Sequence, residues 1–64
     1  MKPHYIGATV ITKVAIPSDK RGEVIPPGTR LVVLEECGEM YFNLVWSEGK
    51  RAASQVHHSK LEAG

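Results

Sequence analysis

The sequence predicts an all-β fold, a five-stranded small barrel with a short helical turn before the last strand. Three observations predict it. Short segments rich in β-branched and aromatic residues recur along the 64-residue chain, and such residues fit a pleated, half-buried surface. Turn signals separate them at the roughly 8–12-residue spacing of sandwiches and barrels. No segment sustains the 3.6-residue period of an amphipathic helix. With about four or five strands in so short a chain, a barrel is the favoured closure.

The elements follow in order. Residues 1–7 form a lead segment with one proline and one glycine, and the single barrel domain is expected over residues 8–62. Residues 8–16 (ATVITKVAI) read as the first strand, because β-branched side chains lose χ1 freedom in a helix. Pro17 ends it, since proline cannot donate to the ladder. Residues 18–23 (SDKRGE) are a polar loop. With Val24, Ile25 and the following turn they make a connection of about a dozen residues, a length that is uncommon inside small domains and often functional.

Pro27 and Gly28 suit the central positions of a type II turn, proline presetting the first φ and glycine taking the positive φ of the second. Arg30 to Glu35 is the second strand, and residues 36–39 turn the chain into a third at residues 41–46 (YFNLVW). There Phe42, Leu44 and Trp46 share one face, and Phe42 and Trp46 are expected to be largely buried. Ser47-Glu48-Gly49 reads as a tight hairpin, with Gly49 in the left-handed position of a bulge. Residues 51–57 return as a more polar strand. Residues 58–60 make one helical turn that delivers Leu61 as a final apolar anchor, and Tyr5 is expected to pack across an open barrel end.

Composition narrows the function. A chain this short buries only about 60% of the surface its unfolded form exposes, so self-association would add useful burial. Eight Lys or Arg stand against seven Asp or Glu, for a formal charge of +1. Phosphate-neutralising modules usually show a clear basic excess. Cys37 is the one cysteine, which excludes an intrachain disulfide and fits a reducing, cytoplasmic setting. No run approaches the roughly 20 apolar residues that span a bilayer, and the first residues have no apolar core of signal-peptide length. No membrane partner is expected.

The candidate sites are weighed on their chemistry. Lys20 and Arg21 in the long loop, with Lys50 and Arg51 after the hairpin, would form a basic rim if the barrel brings the two loops together. Asp19, Glu23 and Glu48 dilute that field. Tyr41 is the aromatic best placed as an interface residue, since aromatics are enriched at hot spots. His57 and His58 are adjacent on a strand and point to opposite faces, so they cannot share a metal unless the backbone turns there. Glu36 and Glu39 flank Cys37, and carboxylates raise a thiol's pKa, against a reactive thiolate. Glu35, Glu36 and Glu39 lack the pocket that acid–base work needs. No set has a nucleophile, base and oxyanion donors, no loop cradles a phosphate, and neither metal nor cofactor is expected.

The order of parts resembles the Src-homology-3-like small barrels over about residues 8–62. The resemblance rests on the long loop after the first strand, Ile25-Pro26-Pro27-Gly28-Thr29 leading into an apolar strand, and Tyr41-x-x-Leu44-x-Trp46. The Glu48-Gly49 hairpin, a strand ending Val56-His57 and a short turn closing on Leu61-Glu62 complete it. Such a fold hosts many functions. Its peptide-binding signalling members carry an Ala-Leu-Tyr-Asp-Tyr-type run and paired tryptophans. Here Ala8-Thr9-Val10 has no aromatic and Trp46 is the one tryptophan, which speaks against a polyproline groove. The chain is more similar to the prokaryotic branch, which includes nucleic-acid-associated modules, enzyme subunits and proteins encoded on phages and other mobile elements.

A second resemblance is to the plasmid-borne trimethoprim-insensitive dihydrofolate reductases, barrels that form tetramers around one pore lined by a Val-Gln-Ile-Tyr run. Ser54-Gln55-Val56-His57 stands in the comparable strand, with histidine for tyrosine, serine for the first valine, and a spacing to Leu61 one residue shorter. That resemblance implies a pore-forming, reductase-like homotetramer. The residues themselves favour a non-enzymatic accessory or regulatory module that binds another macromolecule. A protein is the first expected partner and nucleic acid at the basic rim the second.

Overall fold

Turn chemistry divides the chain largely where the sequence places its breaks. The structure, a computed structural model, describes residues 4–64. Seven strands are present: β1 Thr9–Thr12, β2 Ile16–Pro17, β3 Val24–Ile25, β4 Arg30–Glu36, β5 Tyr41–Val45, β6 Arg51–His57 and β7 Leu61–Ala63, with a 3-10 turn at His58–Lys60 before the last. Five of them form an antiparallel sheet in the order β6-β5-β4-β1-β7, and β2 and β3 pair in a separate two-stranded ribbon. The expected all-β fold and its helical turn before the last strand are thus present. Where a five-stranded barrel is expected, the strands form a five-stranded antiparallel sheet with a separate two-stranded ribbon.

The expected single strand over residues 8–16 is two. Thr12 is the reason. It is buried, and its hydroxyl donates to the Pro26 carbonyl at 2.9 Å and accepts the Thr29 N–H at 3.0 Å. Its own carbonyl takes the Gly28 N–H at 2.7 Å, and its N–H donates to the Thr29 carbonyl at 2.9 Å. The Pro-Pro-Gly turn is therefore fastened to the end of β1. The next N–H, of Lys13, turns away to the Lys60 carbonyl at 2.8 Å. The chain then changes sheets, and Ile16 pairs with Ile25 in the ribbon. Pro17 ends β2 and leads into the polar loop, paired with Val24 across the ribbon.

Gly28 has φ of +83°, as the type II reading requires. The Thr12 hydroxyl stands between the carbonyl and N–H that such a turn would otherwise join. At the second hairpin, Gly49 has φ of +93° and donates its N–H to the Trp46 carbonyl at 2.8 Å, the expected glycine bulge.

β5 runs through the middle of three register shifts. On its β4 side an extra residue, Leu34, lies between the pairs Val33–Leu44 and Glu35–Asn43. On its β6 side, Ser54 and Gln55 together oppose Asn43, and Ala52 is extra between the pairs Leu44–Ala53 and Val45–Arg51. Bulges of this kind bend a strand and raise its twist. They also break strict alternation, so Leu44 and Val45 are both buried, as are Ala52 and Ala53. Trp46 is consequently displaced. It is half-buried and packs on the margin of the core, not largely buried as the alternation implied. Phe42, fully buried, is the largest side chain of the core that Val10, Leu31, Val33 and Leu61 complete.

The residue before β1 that covers the core is His4, not Tyr5. Gly7, with φ of +87°, and Ala8 form a turn with Tyr5, and they bond Val33 through Gly7 N–H to its carbonyl and Val33 N–H to the Ala8 carbonyl, at 2.8 and 2.9 Å. That turn points Tyr5 outward, 63% exposed, and carries the buried His4 ring edge-on to Phe42 at 5.4 Å. No helix of the described residues is long and apolar enough to cross a membrane.

Candidate macromolecule-binding surfaces

The polar loop and the start of β6 meet, and the β6 bulge accounts for it. Ala52, the extra residue, presents its carbonyl to the loop and accepts the Asp19 N–H at 2.9 Å and the Ser18 hydroxyl at 3.2 Å. The Ser54 hydroxyl donates to Asp19 Oδ2 at 2.7 Å. Inside the loop, Ser18 N–H reaches the Glu23 carbonyl and Glu23 N–H the Lys20 carbonyl, both at 3.1 Å. The segment is a small closed unit tied to a strand.

This attachment ties the loop that carries Lys20 and Arg21 to the strand that begins at Arg51. These three residues and Lys50 are exposed. Asp19 lies among them with its carboxylate engaged by Ser54, while Glu23 shares an exposed 3.5 Å ion pair with Lys20, an interaction weak enough for a ligand to displace.

Tyr41 is elsewhere. It lies at the far end of β5 from Lys50 and Arg51, on the outward face of the sheet, 45% exposed. Its ring meets that of its cross-strand partner His57 edge-on, with centroids 5.1 Å apart. His57 in turn is fixed by the 3-10 turn it caps. Its Nδ1 accepts the Ser59 N–H at 3.2 Å and lies 2.8 Å from the Ser59 hydroxyl, so the proton of the neutral ring resides on Nε2. The backbone turns at this point, and the His57 and His58 rings lie 4.6 Å apart rather than on opposite faces. No group of three His, Cys, Asp or Glu side chains among the described residues could hold a metal ion.

Beside the aromatic pair runs a polar network that the sequence reading missed. Asn43 Nδ2 donates to Glu35 Oε1 at 2.7 Å, and Asn43 Oδ1 accepts the Gln55 N–H at 3.0 Å. One amide side chain thus ties together three strands. Gln55 has φ of +52°, a left-handed conformation for a non-glycine residue inside a strand, and conformations of this kind persist where surrounding contacts over-determine them. The available signal was Asn43 itself, a residue type depleted in strands, standing between buried Phe42 and Leu44.

The remaining features are smaller. A shallow depression of about 140 Å³ is lined by Thr9, Arg30, Leu31, Val32 and Ser47, below the roughly 300–1,000 Å³ of small-molecule sites. Cys37 is a half-buried free thiol in the β4–β5 turn. His4 has its pKa lowered first by burial, then by the positive charges of His58 and Lys13.

No protein-family model matches the chain, and neither the curated proteins nor the solved structures gave a match.

Proposed function

We propose that this chain is a non-enzymatic accessory or regulatory module, a Src-homology-3-like small barrel that binds a protein partner through the outward face of β4, β5 and β6. The strand order and the ribbon after β1 support the barrel reading, since they follow the order of parts that the sequence resemblance rests on. The observation that carries the binding reading is Tyr41. It is a half-exposed aromatic residue on a strand whose inward side chains are buried, with its ring backed by an immobilised histidine. Rigid aromatic side chains of this kind give large contact area at low entropic cost, which is why they recur as anchors.

The test is affinity capture from the native host with the chain as bait, beside a Tyr41→Ala variant. The reading expects a protein retained by the first and lost or strongly reduced with the second. An eluate with nothing but the bait removes it. A second reading, nucleic-acid binding at the rim, is favoured by the exposure of Lys20, Arg21, Lys50 and Arg51 and by the attachment of the polar loop to β6. It expects a mobility shift of DNA or RNA that weakens steeply with salt and disappears when those four charges are removed.

A further inference from the structure

We infer that the outward face formed by Tyr41, His57, Asn43, Gln55 and Glu35 is a docking surface for an arginine side chain borne by a protein partner. The inference rests on the protein-binding reading above and names the chemistry of the partner.

Three observations carry it. The first is the aromatic pair. Tyr41 presents half of its surface to solvent while His57 fixes its edge, and a guanidinium lies flat on such a ring by cation–π and stacking contacts. The second is the adjacent carboxylate. Glu35 Oε1 accepts from Asn43 at 2.7 Å, which orients the carboxylate of an exposed residue. Among the described residues no cation pairs with this carboxylate, and the sequence holds no Lys or Arg between Arg30 and Lys50. A cationic visitor therefore complements this carboxylate.

The third is the strained bulge. Asn43 Oδ1 takes the Gln55 N–H, and Gln55 holds φ of +52° at this point. That contact fixes the amide which in turn orients the Glu35 carboxylate, and Gln55 itself is exposed on β6. Arginine fits this set better than lysine, because its planar fork can stack on a ring and pair with a carboxylate, whereas an ammonium is a compact and strongly hydrated point charge. The result is an aromatic platform and an oriented carboxylate on adjacent strands.

The experiment is a titration of the intact, isotope-labelled chain, followed by backbone amide NMR. The probes are an acetylated Gly-Arg-Gly-Arg-Gly amide, the matched lysine and glutamate peptides, and a short poly-deoxythymidylate strand. The expected result is that the arginine peptide moves the signals of Glu35, Tyr41, Asn43, Gln55 and His57, the lysine peptide moves them less, and the glutamate peptide does not. Glu35→Gln keeps an acceptor for Asn43, so the fold is retained. It weakens the arginine peptide about tenfold or more, as loss of a hydrogen bond to a charged group implies. Tyr41→Ala weakens it as well, and Glu48→Gln, in the opposite hairpin, leaves it unchanged.

The inference is overturned if those signals do not move, or if Glu35→Gln and Glu48→Gln respond alike. It is also overturned if the nucleotide strand displaces the arginine peptide from this face. The outcome separates from that of the broader reading. A host protein retained equally by the wild-type chain and by Glu35→Gln keeps the module and removes this surface. An arginine-responsive face on a chain that captures nothing supports the surface and removes the module.

Discussion

At the scale of single residues, Thr12, Gln55 and His4 each hold a conformation that a neighbouring side chain would not supply. The Thr12 hydroxyl satisfies a carbonyl and an N–H of the Pro26–Thr29 turn. Thr12→Val keeps the shape and removes both bonds. The Pro26 carbonyl keeps the Thr29 hydroxyl at 2.6 Å while the part-buried Thr29 N–H loses its acceptor, so the variant should lose about 1 kcal/mol in urea unfolding. Gln55 lies where an L-residue is disfavoured by about 1–2 kcal/mol, while glycine sacrifices roughly 0.5–1 kcal/mol of chain entropy. Gln55→Gly is therefore expected to raise stability slightly, and Gln55→Val to lower it, in the same assay. His4 predicts a pH dependence. Its folded pKa lies below the ordinary 6.5 because burial and then the charges of His58 and Lys13 disfavour the imidazolium. Below that ordinary value the unfolded chain binds the proton more readily than the folded one. The contribution to stability is complete above it and declines as pH falls toward the lowered folded value. Melting temperatures measured between pH 8 and 5 should fall for the wild-type chain and fall less for His4→Phe. None of these three roles was legible in the sequence. Each depends on a partner distant along the chain, and side-chain pattern reports only neighbours at strand or helix spacing.

At the scale of elements, the turns were legible and the strand interiors were not. Pro27-Gly28 and Ser47-Glu48-Gly49 carry their conformations in their own chemistry, and both glycines have the positive φ the sequence demands. Neither has a neighbour that a methyl group would strike, so Gly49→Ala should cost about 1–2 kcal/mol from backbone conformation alone, measurable by chemical denaturation. Bulges behave differently. Ala52, Leu34 and the Ser54–Gln55 pair leave no local mark, because an extra residue is defined by what lies opposite it. That is why the sequence misplaced Trp46, whose inward direction followed from an alternation that β5 and β6 do not keep. The basic loop was recognisable as polar and long, and its attachment to β6 was not. Its tie by Asp19 and Ser54 links residues 35 apart in sequence. Asp19→Ala should speed hydrogen exchange at the Asp19 and Glu23 amides while leaving β4 and β5 amides unchanged, and equal acceleration everywhere would show that the loop is not a separate unit.

At the scale of the whole molecule, one small core must hold two packed sheets, and Phe42 is its largest member. Removing a buried phenylalanine costs about 3–5 kcal/mol, comparable to the roughly 3–5 kcal/mol that a core of this size supplies. Phe42→Ala is accordingly expected to be largely unfolded by circular dichroism at room temperature. The sequence conveyed the all-β class and the central strands, since patterning and turn residues specify these. It did not convey the Glu35–Asn43–Gln55 network, which exists only once three strands are aligned. The attachment of the polar loop to the Ala52 carbonyl has a consequence for the fate of the chain in solution. β6 is a terminal strand of its sheet, and an unpaired terminal strand recruits others like it. The loop covers part of that edge at the Ala52 carbonyl, and its exposed Lys20 and Arg21 are followed by bonds that trypsin cleaves. Brief tryptic nicking should therefore convert a dispersed protein into one that sediments, without any prior loss of its core.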